Sequence, residues 1–188
     1  DDFQKLYHRK LHAVTDILAA LADADGLDDR KALFQKAQRI LDTFPNETSS
    51  KSKSRPQKSL ASGMAKIGDF HMALTLSKSI VEEYFKLKAI EAIGETIARA
   101  DYEGELKINF DRLMEVMEEF RYDNLRAIGL SSIAVTMSKA GHYERADQCL
   151  KAAMKSAEAI RGRRTITIST IERRAITLST IAFAMSQA

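Results

Sequence analysis

Four histidines, one cysteine and a series of glutamates are the side chains of this 188-residue sequence with chemistry beyond packing. His8 and His12 stand four apart, which places both imidazoles on one face of a helix and offers two nitrogen ligands to a metal. No Glu lies between them and no third ligand follows at metal spacing, so they are read as the polar boundary of an amphipathic helix and no metal is expected. His71 and His142 occupy turn-like sequence just before Ala73 and Ala146, where an imidazole is expected to face solvent. Cys149 has no partner for a disulfide and reads as a small core residue. Glu82, Glu83, Glu91, Glu95, Glu115, Glu118 and Glu119 recur at helical spacing, the pattern of a solvated face rather than of a general acid and base. There is no glycine-rich phosphate loop, no GxSxG, no HExxH and no cysteine pair. No catalytic residue and no cofactor are assigned, and the chain is expected not to be an enzyme.

The remaining chemistry is basic. Lys51, Lys53, Arg55 and Lys58 form one group, Arg161, Arg163 and Arg164 a second, and Arg173 with Arg174 a third. The net charge is only +3, but residues 59–124 carry 8 basic and 13 acidic side chains while residues 125–188 carry 10 and 4. Such a polarity steers a charged partner. The plainer reading of these groups is solvation of a linker and of helix ends, where cations also complement the backbone carbonyls. The sharper one is phosphate binding by an RNA-reading helical repeat, against which stands the lack of aromatic stacking residues beside the arginines.

The elements that must position these residues are helices. Two prolines, eight glycines and few alternating runs leave helix as the element most of the chain supports, and the periodicity predicts about nine of them. Residues 3–22 carry an apolar stripe of Leu6, Leu11, Val14, Leu18 and Leu21. A second helix follows Leu27, capped by Asp28 or Asp29, running to Phe44 and burying Ala32, Leu33, Ala37, Ile40 and Leu41, so that residues 1–44 form an antiparallel hairpin. Residues 45–57 lack apolar side chains and predict a flexible basic linker. Residues 58–188 form the repeating part. Within it, residues 165–172 are β-branched and alternating, yet their flanks favour helix over strand. No run of about 18 apolar residues spans a membrane, and a cytoplasmic protein is expected.

The repeating part is recognisable by self-similarity. Residues 126–140, RAIGLSSIAVTMSKA, return as residues 174–188, RAITLSTIAFAMSQA. A second pattern joins Gly68, Phe70 and Ala73 to Gly141, Tyr143 and Ala146. In each, Gly ends a helix in the left-handed conformation, the aromatic plugs the gap between two helices, and Ala lets the second helix approach the first. The last repeat stops at Ala188 in mid-unit, and the chain is expected to be a fragment of a longer protein. The apolar face of residues 166–188 is then a candidate for self-association.

Leu130, Ile133, Ala134, Met137, Gly141, Tyr143, Ala146, Leu150 and Ala153 resemble the signature positions of the tetratricopeptide repeat. The unit at 130–153 carries the resemblance most fully, with Leu130 in place of the usual large aromatic and Glu158 in place of the terminal proline. Gly68 and Gly141 lie 73 residues apart across two units, against a family period of about 34. The resemblance implies an all-α fold, a right-handed α-solenoid of antiparallel helix pairs, with the first helix of each pair lining a groove. By helix phase and that resemblance Lys58, Ser62, Lys66, Ser131, Lys139 and Ser179 are the candidate groove residues. The implied function is a non-catalytic scaffold that binds a protein or peptide. An RNA-binding repeat module and a sensor or regulatory segment of a multidomain protein are the alternatives.

Overall fold

The structure, a computed structural model, describes residues 2–23, 29–43, 50–99 and 103–162. Among the described residues every regular element is a helix: α1 (Asp2–Asp23), α2 (Arg30–Asp42), α3 (Ser50–Lys66), α4 (Phe70–Ser79), α5 (Glu83–Ala98), α6 (Glu103–Glu118), α7 (Asp123–Lys139) and α8 (Tyr143–Gly162). Eight helices stand where about nine were expected, and residues 165–172, with the rest of 163–188, lie outside the described residues. Two compact units divide the chain, residues 1–93 and 94–188, and the division falls inside α5 rather than beside residues 45–57.

In the first unit α3 is the central element, packed against α1, α2 and α4. The inward stripe of α2 is Phe34, Ala37 and Leu41. Leu41 and Ala37 were expected there, but Ala32, Leu33 and Ile40 are exposed. Phe34 decides the phase because α3 leaves a hole for it: a Cβ on Gly63 would lie 2.5 Å from both Cε1 and Cζ of the Phe34 ring. Burying the largest side chain of α2 removes more apolar surface from water than burying Leu33 or Ile40 would.

The linker expectation is corrected over residues 50–57. They form the first turns of α3, which runs through Pro56 with Lys53, Ser54 and Pro56 buried. Tertiary bonds offset the poor helix propensity. The Ser54 hydroxyl accepts the Glu82 N–H at 3.2 Å, and the Gln57 amide donates to the Ser79 hydroxyl at 3.4 Å. These pairs join the start of α3 to the end of α4, so the two helices are antiparallel.

In the second unit α7 packs densely on α8 and also against α6. Arg126 near the start of α7 bonds Ser156 late in α8, which makes this pair antiparallel too. The two hairpin turns share one geometry. Gly68 has φ 82° and Gly141 φ 85°, the left-handed region that costs a side-chain-bearing residue about 1–2 kcal/mol. Gly68 N–H donates to Ala65 O and Asp69 N–H to Met64 O, while Gly141 N–H donates to Ser138 O and His142 N–H to Met137 O. Both are Schellman caps, which satisfy the carbonyls left open at a helix end.

The other turn expectations divide. Ala73 and Ala146 are buried and Phe70 is 7% exposed, as a close approach and an aromatic plug require. Tyr143 is 64% exposed and plugs nothing. Its hydroxyl gains from staying in water, and the α7–α8 seam is closed instead by Ala134, Met137, Ala146, Cys149 and Ala153.

Candidate functional site

In the second unit α6, α7 and α8 enclose a half-open cavity of about 350 Å³. Met114 and Met117 from α6, Leu130 from α7 and Ala152 from α8 supply its apolar lining, and Glu118, Arg126, Lys155 and Ser156 its polar one. Each helix contributes positions three or four apart, one stripe per helix, so the cavity exists only because three stripes converge. Met137 and Ala153 fill the hairpin seam with full burial.

The polar residues are held unequally. Arg126 donates from Nη2 to Asp123 Oδ1 at 2.6 Å and from Nε to Ser156 Oγ at 2.9 Å, and the Ser156 hydroxyl donates to Ala152 O at 3.0 Å. That chain fixes the guanidinium across the α7–α8 hairpin. Lys155 and Glu118 are both exposed and, among the described residues, neither has an ion-pair partner. Beside the cavity, Cys149 Sγ lies 3.8 Å from Met114 Sδ, and burial pushes its thiol up to about 12. A thiol so disposed is packing, not a nucleophile.

His142 is half-buried, and its Nε2 lies 3.1 Å from Ala98 O, so the ring ties the α7–α8 turn to the end of α5. The expectation that it faces solvent is corrected: the last carbonyls of α5 need a partner and the turn presents one. His71 is exposed, and the side chains of His8 and His12 lie outside the described ones. The glutamates make local pairs: Glu83 with Lys86 at 3.7 Å, Glu91 with Lys88 at 2.7 Å and Glu95 with Arg99 at 2.5 Å. Among the described residues no three His, Cys, Asp or Glu converge as a metal site, and no helix is long and apolar enough to cross a membrane.

The candidate groove residues are dispersed. Lys58, Ser62 and Lys66 belong to α3 in the first unit, Ser131 and Lys139 to α7 in the second, and Ser179 lies outside the described residues. Lys66 and Lys139 are exposed in the last turns of their helices, as cations near carbonyl ends should be. Lys58 is half-buried. Ser62 donates to Lys58 O at 2.9 Å. Ser131 is corrected: it is fully buried and donates to Ala127 O at 2.8 Å, because α7 is packed on more than one side. Of the basic groups, Lys53 is 7% exposed and Arg55 exposed, Arg161 sits in the last turn of α8 with its side chain outside the described ones, and Arg163, Arg164, Arg173 and Arg174 lie outside the described residues.

The cavity itself was not foreseen. Its residue types are ordinary for helices, and although Arg126 and Leu130 belong to the repeated segment and Glu118 to the spaced glutamates, nothing in the sequence brought them together. Comparison with protein-family models, with curated proteins and with solved structures gave no match to this chain.

Proposed function

We propose that the chain is a non-catalytic interaction scaffold of tetratricopeptide-like helix pairs, stacked as a right-handed solenoid and binding a protein or peptide. The observation that carries this reading is the reuse of one hairpin design. α3–α4 and α7–α8 are antiparallel pairs closed by the same glycine-centred cap, with a buried Ala five residues after each glycine. Chains built by repeating such a pair gain rigid, regularly spaced side chains, which suits recognition of an extended or helical ligand. The α6–α8 cavity supports the same reading, since an apolar recess with a charged edge is how an interface seats an anchor residue.

The test is a pull-down with the full chain as bait, with and without nuclease, followed by rebinding of the purified prey. A protein retained after nuclease and bound directly in purified form is expected. Retention that disappears with nuclease, with RNA recovered on the bait, overturns the reading in favour of nucleic-acid binding.

A further inference from the structure

We propose that residues 174–188 are a docking surface for an amphipathic helix of a partner protein, one that carries small side chains at the spacing of Ala146, Cys149, Ala153 and Ser156. Residues 174–188 lie outside the described residues, but α7, which they repeat in sequence, is described throughout. Of the eight buried residues of α7, seven recur with the same identity in the aligned repeat, and only Gly129 differs, with Thr177 in its place. The other four differences, at Ser132, Val135, Thr136 and Lys139, fall at positions that α7 leaves half-buried or exposed. The repeat thus keeps what α7 uses for packing. Its changes also favour cover: Phe183, Ala184 and Gln187 stand where α7 has Val135, Thr136 and Lys139, which enlarges an apolar group, removes a hydroxyl and removes a charge.

The cover that α7 itself receives identifies the occupant. Its stripe of Arg126, Leu130, Ala134 and Met137 runs antiparallel to α8, with Arg126 Nε donating to Ser156 Oγ at 2.9 Å near the open end of the hairpin. On the α8 side of this seam lie Ala146, Cys149, Ala153 and Ser156, each at most 3% exposed. Long side chains on one helix meet short ones on the other, which is what lets the two pack closely. Arg174, Leu178, Ala182 and Met185 repeat the α7 stripe, so they ask for the same complement: a helix with Ala, Ser or Cys at positions three and four apart and a hydroxyl opposite Arg174. A bulkier side chain in that complement would hold the helices apart. A second copy of the chain does not offer it, because the small stripe of its α8 is already covered by its own α7. This site goes beyond the scaffold reading, since it stands on the α7–α8 seam and not on a groove.

The probe is a synthetic peptide with the α8 sequence, YERADQCLKAAMKSAEAIRG, labelled with fluorescein and titrated under reducing conditions into the purified full chain while anisotropy is followed. Saturable binding is expected. Replacing Ala146 and Ala153 of the peptide by Leu is expected to weaken it about tenfold or more, because the widened stripe no longer seats. Ser156→Ala in the peptide is expected to weaken it by about two- to tenfold, the loss of one hydrogen bond. Leu178→Asp in the chain is expected to weaken the unmodified peptide about tenfold or more, and circular dichroism with urea unfolding checks that this variant is folded. Binding that survives Leu178→Asp overturns the assignment, because the peptide then replaces α8 on α7. Absence of binding, or binding indifferent to the two Leu substitutions, overturns it as well. A chain that dimerises, with the dimer dissolved by Leu178→Asp, overturns the partner helix in favour of a second copy. A protein retained equally by native and Leu178→Asp baits in the nuclease-treated pull-down keeps the scaffold reading while this site fails.

Discussion

Gly63 offers a quantitative check on the packing of the first unit. In an exposed helix interior, replacing Gly by Ala stabilises by about 0.5–1 kcal/mol because the unfolded chain has less freedom to lose. Here the added Cβ would fall 2.5 Å from two ring carbons of Phe34, closer than carbon atoms approach without displacement. Phe34 is fully buried, so its ring cannot swing into solvent to make room. Overpacking of this kind costs about 1–3 kcal/mol, and subtracting the backbone gain leaves Gly63→Ala destabilising by about 0–2.5 kcal/mol, centred near 1. The contrast is Gly94→Ala, where the new Cβ would lie 3.3 Å from Ile133 Cγ1 and 3.5 Å from Leu113 Cδ2, tight but adjustable, so the net effect is near zero. Urea unfolding followed by far-UV circular dichroism measures both. Phe34→Leu completes a double-mutant cycle: it removes the outer ring atoms and should make Gly63→Ala neutral or stabilising in that background. If Gly63→Ala raises stability in the native background, α2 does not dock on α3 through Phe34, and the phase assigned to α2 is wrong.

Three further outcomes are expected. Gly68→Ala and Gly141→Ala introduce no contact within 4 Å, so each should destabilise through backbone strain alone, by about 1 kcal/mol in urea melts, with Asn at the same positions milder than Ala. The Cys149 thiol, buried and raised to about 12, should resist alkylation in native protein at mildly alkaline pH and react at once in denaturant; rapid native labelling contradicts its burial. Asp69 is held below its ordinary value of 3.8 by the Lys31 ammonium at 2.8 Å, against an opposing effect of burial and with help from the Met72 N–H. A carboxyl lowered by folding contributes stability above its ordinary value and loses it as pH falls through the folded one, so Asp69→Asn should lower stability at neutral pH and flatten the acid limb below about pH 4. Equal acid sensitivity in the two proteins excludes that pair as a contributor.

What the sequence disclosed depended on whether a residue type is forced by backbone or chosen by surroundings. Gly68 and Gly141 were legible because a left-handed helix end selects glycine almost by itself, and Ala73 and Ala146 followed from the same turn. The apolar face of α7 was legible from its three and four residue spacing. The start of α3 was not: residues 50–57 contain no apolar side chain, and their helix is secured by bonds from Ser54 and Gln57 to residues more than twenty positions away. Leu33, Phe34 and Ile40 of α2 offer two apolar phases, and only the hole opposite Gly63 decides between them. Helix phase and the repeat resemblance put Ser131 in the groove, but a serine that bonds the carbonyl four residues back behaves inside a helix as a small core residue. Tyr143 occupies an aromatic position of the turn pattern while its ring stays in water. The α6–α8 cavity is assembled from Met, Leu, Ala, Lys and Arg positions spread over residues 114–156, none of which departs from ordinary helix composition.

The most direct test of a protein-binding scaffold is a paired titration of the purified full chain against its recovered protein partner and against single-stranded RNA, each at low and high salt. An interaction scaffold predicts saturable binding of the protein partner with modest salt dependence, and RNA binding that is weaker throughout. Tighter binding of RNA with a steep salt slope contradicts it and moves function to the basic residues.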